Sequence, residues 1–271
     1  MSSLSSTLAD CPHCGEQHDE TQLKCPNTDR PLDLRGRLLE GKFRFKKPLG
    51  EGGMARVWLA ANENLERDVA IKFLHSDVTK NQEAVDRFQS EARATARIGS
   101  EFIVEVYDCG ESPLGPYMIM EALVGEDLSE LLDKRTVLPP EEIVPIMIDV
   151  LEGLGAAHCA GIVHRDLKPG NVFLHYPIAG KPHVKLMDFG VSKFLDGSGP
   201  VATRKGLLLG TPEYMAPEQA RGDVADPRAD LYALGVMLFE MLVGRVPLYA
   251  GDIAELMRKK LYEPAPRLAD A

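Results

Sequence analysis

One stretch constrains this 271-residue chain more than any other: His164-Arg165-Asp166-Leu167-Lys168-Pro169-Gly170-Asn171, followed in order by Asp188-Phe189-Gly190 and Ala216-Pro217-Glu218. It sets two carboxylates, Asp166 and Asp188, an ammonium at Lys168 and an amide at Asn171 close along the chain. Amide and carboxylate oxygens, such as those of Asn171, Asp166 and Asp188, suit a hard cation such as Mg²⁺. A carboxylate two residues from an ammonium, as Asp166 is from Lys168, also suits orienting or accepting a proton. A helix cap or a surface charge would explain any one of these carboxylates, but not their joint spacing.

Composition narrows the class. With 44% hydrophobic residues the chain can bury a sizeable core, as one large domain or two modest ones. A formal net charge of -10 argues against nucleic acid as a partner, because such binding needs excess Lys and Arg to displace counterions. The most apolar stretch, residues 231–243, is interrupted by Glu240 and is shorter than the ~20 residues of a membrane-spanning helix. No secretory signal is read, and the cytoplasm is the expected compartment. Five cysteines, three of them near the amino terminus, fit a reducing compartment with a metal site better than a disulfide framework.

Residues 1–40 carry Cys11, Cys14 and Cys25 with little periodicity and read as a small separate module. From residue 41 the chain divides again. Alternating apolar residues predict strands over 43–49, 57–61, 68–74, 104–109 and 117–121, with a helix over 84–97. That is a small lobe, residues 41–123. Residues 124–271 are mainly helical, with helices expected over 141–160, 229–243 and 253–262. Cys109 and Cys159 read as small buried apolar residues.

The three strings resemble the signature set of the protein kinases, in particular the bacterial eukaryotic-like (Hanks-type) Ser/Thr kinases. The resemblance implies an α+β two-lobe fold: a five-stranded β lobe with one helix, then a larger helical lobe. It implies ATP and Mg²⁺ (or Mn²⁺) as cofactors and protein Ser/Thr hydroxyls as acceptors. Leu49-Gly50-Glu51-Gly52-Gly53-Met54 then covers the phosphates, departing from the family pattern at Ala55, where a third Gly is usual. Val57, Ala70 and Phe173 would sandwich the adenine, with Met120 behind it, Glu121 to Leu123 along its edge and Asp127 at the ribose. Lys72, in Val69-Ala70-Ile71-Lys72, would hold phosphates and pair with Glu91.

In the reaction centre the resemblance makes Asp166 the catalytic acid–base, Lys168 the γ-phosphate cation, and Asn171 and Asp188 the metal ligands. Thr211 belongs to the segment that receives the acceptor. Arg165 would dock a phosphorylated activation-segment residue, Thr203 ahead of Ser192 and Ser198, made by autophosphorylation that dimerisation could assist. Two other classes stay open: a kinase-fold scaffold without transfer, and a small-molecule kinase. The intact Lys72, Glu91, Asp166, Asn171 and Asp188 disfavour the first, and the segment from Asp188 to Glu218 the second.

Cys11-Pro12-His13-Cys14 is a knuckle that points two thiolates at one centre. Cys25 and His18 would complete a Zn²⁺ site, with His13 and Asp29 behind His18, in a zinc-ribbon-like module similar to those fused to some bacterial kinases. Helices that normally follow residue 262 in the family, with an Arg that pairs Glu218, are expected beyond Ala271. The chain therefore reads as a fragment of a longer polypeptide, in which any membrane anchor would also lie beyond Ala271.

Overall fold

The computed structural model describes residues 10–177, 181–189 and 211–270. The chain forms two units, residues 1–92 with 105–122, and residues 93–104 with 123–271. In the first, strands β1 (Leu38–Leu39), β2 (Phe43–Glu51), β3 (Ala55–Asn62), β4 (Arg67–Leu74), β5 (Val106–Ser112) and β6 (Gly115–Glu121) make one antiparallel sheet. The strand order is β1-β2-β3-β4-β6-β5. Helix α1 (Gln82–Thr95) follows β4 and buries Val85, Phe88 and Ala92, spaced by three and four residues as one helical face requires.

The sheet thus holds one strand beyond the five expected. A two-residue strand carries no alternation to read, and Leu38–Leu39 pairs with β2 through Leu38 opposite Arg44. The core of this unit is Phe43, Phe45, Ile71, Phe73, Tyr117 and Ile119, joined by Leu23 and Leu34 from the amino-terminal segment. Cys109 is exposed on strand β5 and Cys159 in the last turn of a helix of the second unit, so neither is the buried apolar residue expected. Their small size says nothing about which face of an element they occupy.

In the second unit β7 (Gly125–Asp127) precedes α2 (Leu128–Arg135) and α3 (Pro140–Cys159). Then come β8 (Val172–His175), β9 (His183–Leu186), α4 (Pro217–Arg221), α5 (Pro227–Val243) and α6 (Ile253–Tyr262). Asp127 caps α2 by accepting from the Glu130 amide at 2.9 Å, and Asp226 and Asp252 cap α5 and α6 in the same way. Helix α5 is apolar around most of its circumference and buries Ala229, Asp230, Ala233, Leu234, Val236, Met237, Phe239 and Met241, so it is the central helix of this unit. Among the described residues no helix is long and apolar enough to cross a membrane.

Candidate active site

In the β unit the glycine-rich residues Gly50 to Gly53 form the hairpin end between β2 and β3, closed by the Gly52 amide on the Ala55 carbonyl at 2.9 Å. His75, which the sequence did not point to, bonds the Gly52 carbonyl through Nε2 at 2.9 Å, and its amide bonds the Met54 carbonyl at 2.9 Å. Leu49 and Met54 are exposed. Val57 lies opposite Lys72, and Ala70 lies opposite Met120. Side chains two apart on a strand share a face, so Val57, Ala70, Lys72 and Met120 line one side of the sheet. Glu121 ends β6 beside them. Lys72 Nζ lies 4.0 Å from Glu91 Oε1 on α1, both side chains largely out of water.

In the helical unit the segment between α3 and β8 is held almost entirely by backbone anchors. Asp230 of α5, 1% exposed, accepts from the amides of His164 at 2.9 Å and Arg165 at 2.8 Å, and from His158 Nε2 at 2.7 Å. His164 is fully buried; its Nε2 meets the Met187 carbonyl at 3.0 Å and its Nδ1 the Asp166 amide at 3.3 Å. One acceptor and one donor call for the neutral imidazole protonated at Nε2, and burial pushes the His164 pKa down, which keeps it neutral. The ring packs against buried Phe189 in a tilted arrangement, centroids 4.6 Å apart and planes 39° apart. This ties the Asp166 loop to the Asp188 turn.

Lys168 Nζ sits 3.6 Å from Asp166 Oδ2 and donates to Thr211 Oγ1 at 3.1 Å. Asn171 donates its side-chain N–H to the Asp166 carbonyl at 2.8 Å, which turns its amide oxygen away as the atom left for a cation. Arg165 and Asp188 hold positive φ values of 65° and 51°, backbone states that cost energy and cluster at working sites. The Arg165 Nε is buried with no hydrogen-bond partner among the described residues. Asp127 spends one carboxylate oxygen on its helix cap, and Phe173, the second residue of β8, lies opposite it.

Three residues that local patterns did not flag brace the segment carrying Thr211. Gln219 accepts from the Ala216 amide at 3.0 Å and donates to the Arg165 carbonyl at 2.9 Å. Tyr214 donates to Glu240 at 2.6 Å, and buried Lys260 donates to the Glu213 carbonyl at 2.8 Å. A Lys on the buried face of the amphipathic helix α6 was the available signal for Lys260. Thr203, Ser192 and Ser198 lie outside the described residues.

The family description "protein kinase domain" matches residues 43–267. The chain belongs to the protein kinase family. This kinase domain is 45% identical over 227 residues to the serine/threonine-protein kinase Pkn1 of Myxococcus xanthus, covering 83% of the chain and 32% of Pkn1. It is 38% identical over 248 residues to pkn3 of the same organism, covering 90% of the chain and 45% of pkn3. Against PknL of Mycobacterium tuberculosis the identity is 36% over 234 residues, covering 86% of the chain and 57% of PknL. The chain thus spans between a third and rather more than half of the length of these relatives.

The cysteine cluster of the kinase chain precedes the matched residues. Ligand atoms of Cys11, Cys14, His18 and Cys25 all lie within 4.8 Å of one another, with Cys14 Sγ and His18 Nε2 at 3.2 Å. Burial works against ionisation of Cys25, but hydrogen bonds from Thr28, the Asn27 amide, Cys14 and His18 outweigh it and bring the thiol down to about 6. His13 and Asp29 stand outside the cluster. His13 Nε2 meets the Pro31 carbonyl at 3.0 Å, and exposed Asp29 pairs with Lys24 at 3.5 Å.

Proposed function

We propose that this domain is a Ser/Thr protein kinase that transfers the γ-phosphoryl group of ATP to protein hydroxyls. The observation that carries the reading is the Asp166–Lys168–Thr211 chain, in which one ammonium bridges a carboxylate and a threonine hydroxyl. Asp166 orients the acceptor hydroxyl and takes up its proton as the O–P bond to the γ-phosphorus forms and the bond from that phosphorus to the bridging oxygen of the departing ADP breaks. Lys168 neutralises charge on the transferring group, and Thr211 fixes Lys168 in reach of both. Asn171 and Asp188 offer the amide and carboxylate oxygens that suit Mg²⁺, which when bound would neutralise phosphate oxygens. Lys72, steadied by Glu91, holds further phosphate oxygens, and the shared face of Val57, Ala70 and Met120 offers apolar cover for the adenine.

Regulation follows from Arg165. A buried guanidinium Nε without a partner among the described residues suits a phosphate, and phosphorylated Thr203 is the group proposed to meet it. At the amino terminus we infer a closed, structural Zn²⁺ centre on Cys11, Cys14, His18 and Cys25. Tetrahedral zinc with bonds of about 2.0–2.3 Å brings its ligand atoms to roughly 3.3–3.8 Å of one another, so the four need only a small contraction.

Phosphate transfer from labelled ATP with Mg²⁺ tests the kinase reading, comparing the chain with Asp166→Asn and Lys72→Met. Label on Ser or Thr that disappears in both variants is expected. Absence of label in a folded sample that binds ATP would move the reading to a scaffold.

A further inference from the structure

We infer that the metal knuckle is a structural part of the β unit, so that metal occupancy sets the stability of the sheet that carries Lys72. The inference rests on the zinc reading above and adds what the metal does.

The residues between the ligands His18 and Cys25 are built into the sheet's own core. Leu23, two residues before Cys25, is 3% exposed in one cluster with Phe43, Phe45, Ile71, Phe73 and Tyr117. The Leu38 amide, on strand β1, donates to the Glu20 carbonyl at 2.8 Å. Buried Arg37 donates to the carbonyls of Asp19 at 2.8 Å, Gln22 at 2.9 Å and Asp33 at 2.9 Å. On β2, Arg44 reaches the Glu20 carboxylate at 2.7 Å and the Gly36 carbonyl at 2.7 Å. An independent bead on a linker has no need of an apolar plug or a buried guanidinium aimed at its backbone.

Local backbone bonds on this segment are few and short in range, among them the Cys25 amide on the Arg30 carbonyl at 2.8 Å and the Leu32 amide on the Leu23 carbonyl at 3.1 Å. Among the described residues before β1, its one ladder contact is the isolated bridge between Lys24 and Pro31. A four-ligand cross-link fixes the His18–Cys25 loop, and metal binding free energy then appears as folding free energy. Without the cross-link the loop regains conformational freedom, and the Leu23 plug and the Asp19 and Gln22 carbonyls on Arg37 lose their fixed positions. Because Leu23 lies within the sheet's cluster, that loss falls on the sheet.

The chain carries its own reporter. Trp58, the single tryptophan, sits on β3 and packs against this cluster, its ring edge-on to Phe45 at 5.7 Å between centroids. The experiment is urea unfolding of the full chain followed by Trp58 fluorescence, zinc-loaded and zinc-stripped, with zinc per chain counted by release to a colorimetric chelator. One zinc per chain and a midpoint that falls by about 1 M urea on stripping are expected, and Cys25→Ser must reproduce the stripped curve. Leu23→Ala, which leaves all four ligands, should keep its zinc and lose most of the difference between the loaded and stripped curves. One zinc per chain with superimposable Trp58 curves would overturn the inference and leave the zinc reading standing. No zinc on the folded chain would remove the zinc reading and the inference with it.

Discussion

The carboxylate of Asp230 accepts the backbone amide of His164 at 2.9 Å across 66 residues of sequence, and the next amide, that of Arg165, takes its other oxygen. Asp166 follows directly, so its position is set from the central helix α5. Asp230→Ala strands two buried N–H groups and His158, at roughly 1–3 kcal/mol for each buried group left unpaired. A loss of about 2–5 kcal/mol in urea unfolding is expected, with a fall in kcat and faster hydrogen exchange at the His164 and Arg165 amides. Retained exchange protection at those amides would show that the loop is held by something other than Asp230.

What the sequence made legible, and what it hid, divides along the same line. The proposed chemistry asks for fixed residue types at fixed local spacing, so Asp166, Lys168, Asn171 and Asp188 stand out as candidates in the strings themselves. Helices α3, α5 and α6 were legible because their apolar residues persist over several turns. The braces were not: Gln219 reaches Arg165 across 54 residues and Lys260 reaches Glu213 across 47, and such a bond leaves no periodicity in either segment. Leu23 was hidden for the same reason, since one apolar residue among turns does not announce which core it enters.

Arg165 separates a regulatory role from a structural one. Its backbone is pinned at both ends, the amide on Asp230 and the carbonyl on Gln219 Nε2, so removing the side chain leaves the loop anchored. Arg165→Ala should abolish the response to phosphorylation while sparing basal turnover. In the parent chain, phosphatase treatment should lower peptide phosphorylation on the order of tenfold, the scale of a few charge-assisted hydrogen bonds. In Arg165→Ala and in Thr203→Ala the treated and untreated rates should coincide. A full phosphatase response in Arg165→Ala would assign phosphate docking to another cation.

Glu240 gives a pH dependence whose sign can be worked out. Burial pushes its carboxyl pKa up; the Tyr214 hydroxyl bond offsets this in part, and the carboxylates of Glu213 and Asp133 add to the rise. The folded chain therefore keeps this proton at pH values where the unfolded chain has lost it. Stability from this group is complete below the ordinary Glu value, about 4.3, and is lost as pH rises through the raised folded value. Glu240→Gln retains an oxygen for Tyr214 and removes the titration. Urea midpoints from pH 4 to 7 should show the parent chain falling relative to Glu240→Gln as pH rises, with the variant at least as stable at pH 7. Parallel profiles would mean that Glu240 is ionised at no cost to the fold.

Gly125 and Gly155 form an opposed pair. Gly125 holds φ at +144° at the start of β7, and a Cβ there would come within 2.0 Å of the Leu174 carbonyl oxygen on the paired strand β8. That contact is with backbone, so relief requires β8 to shift, and β8 begins directly after Asn171. Gly125→Ala should cost ~3 kcal/mol or more, the scale of strain at a special backbone position, and should lower turnover through the displaced Asn171. Gly155 lies within α3 with nothing within 4 Å of its added Cβ and no positive φ, and it is exposed. Gly155→Ala should stabilise by about 0.5–1 kcal/mol through lost freedom of the unfolded chain. Thermal unfolding of the two variants beside the parent chain gives opposite shifts if β7 and β8 approach this closely. Equal small shifts would mean that the strands can part without cost.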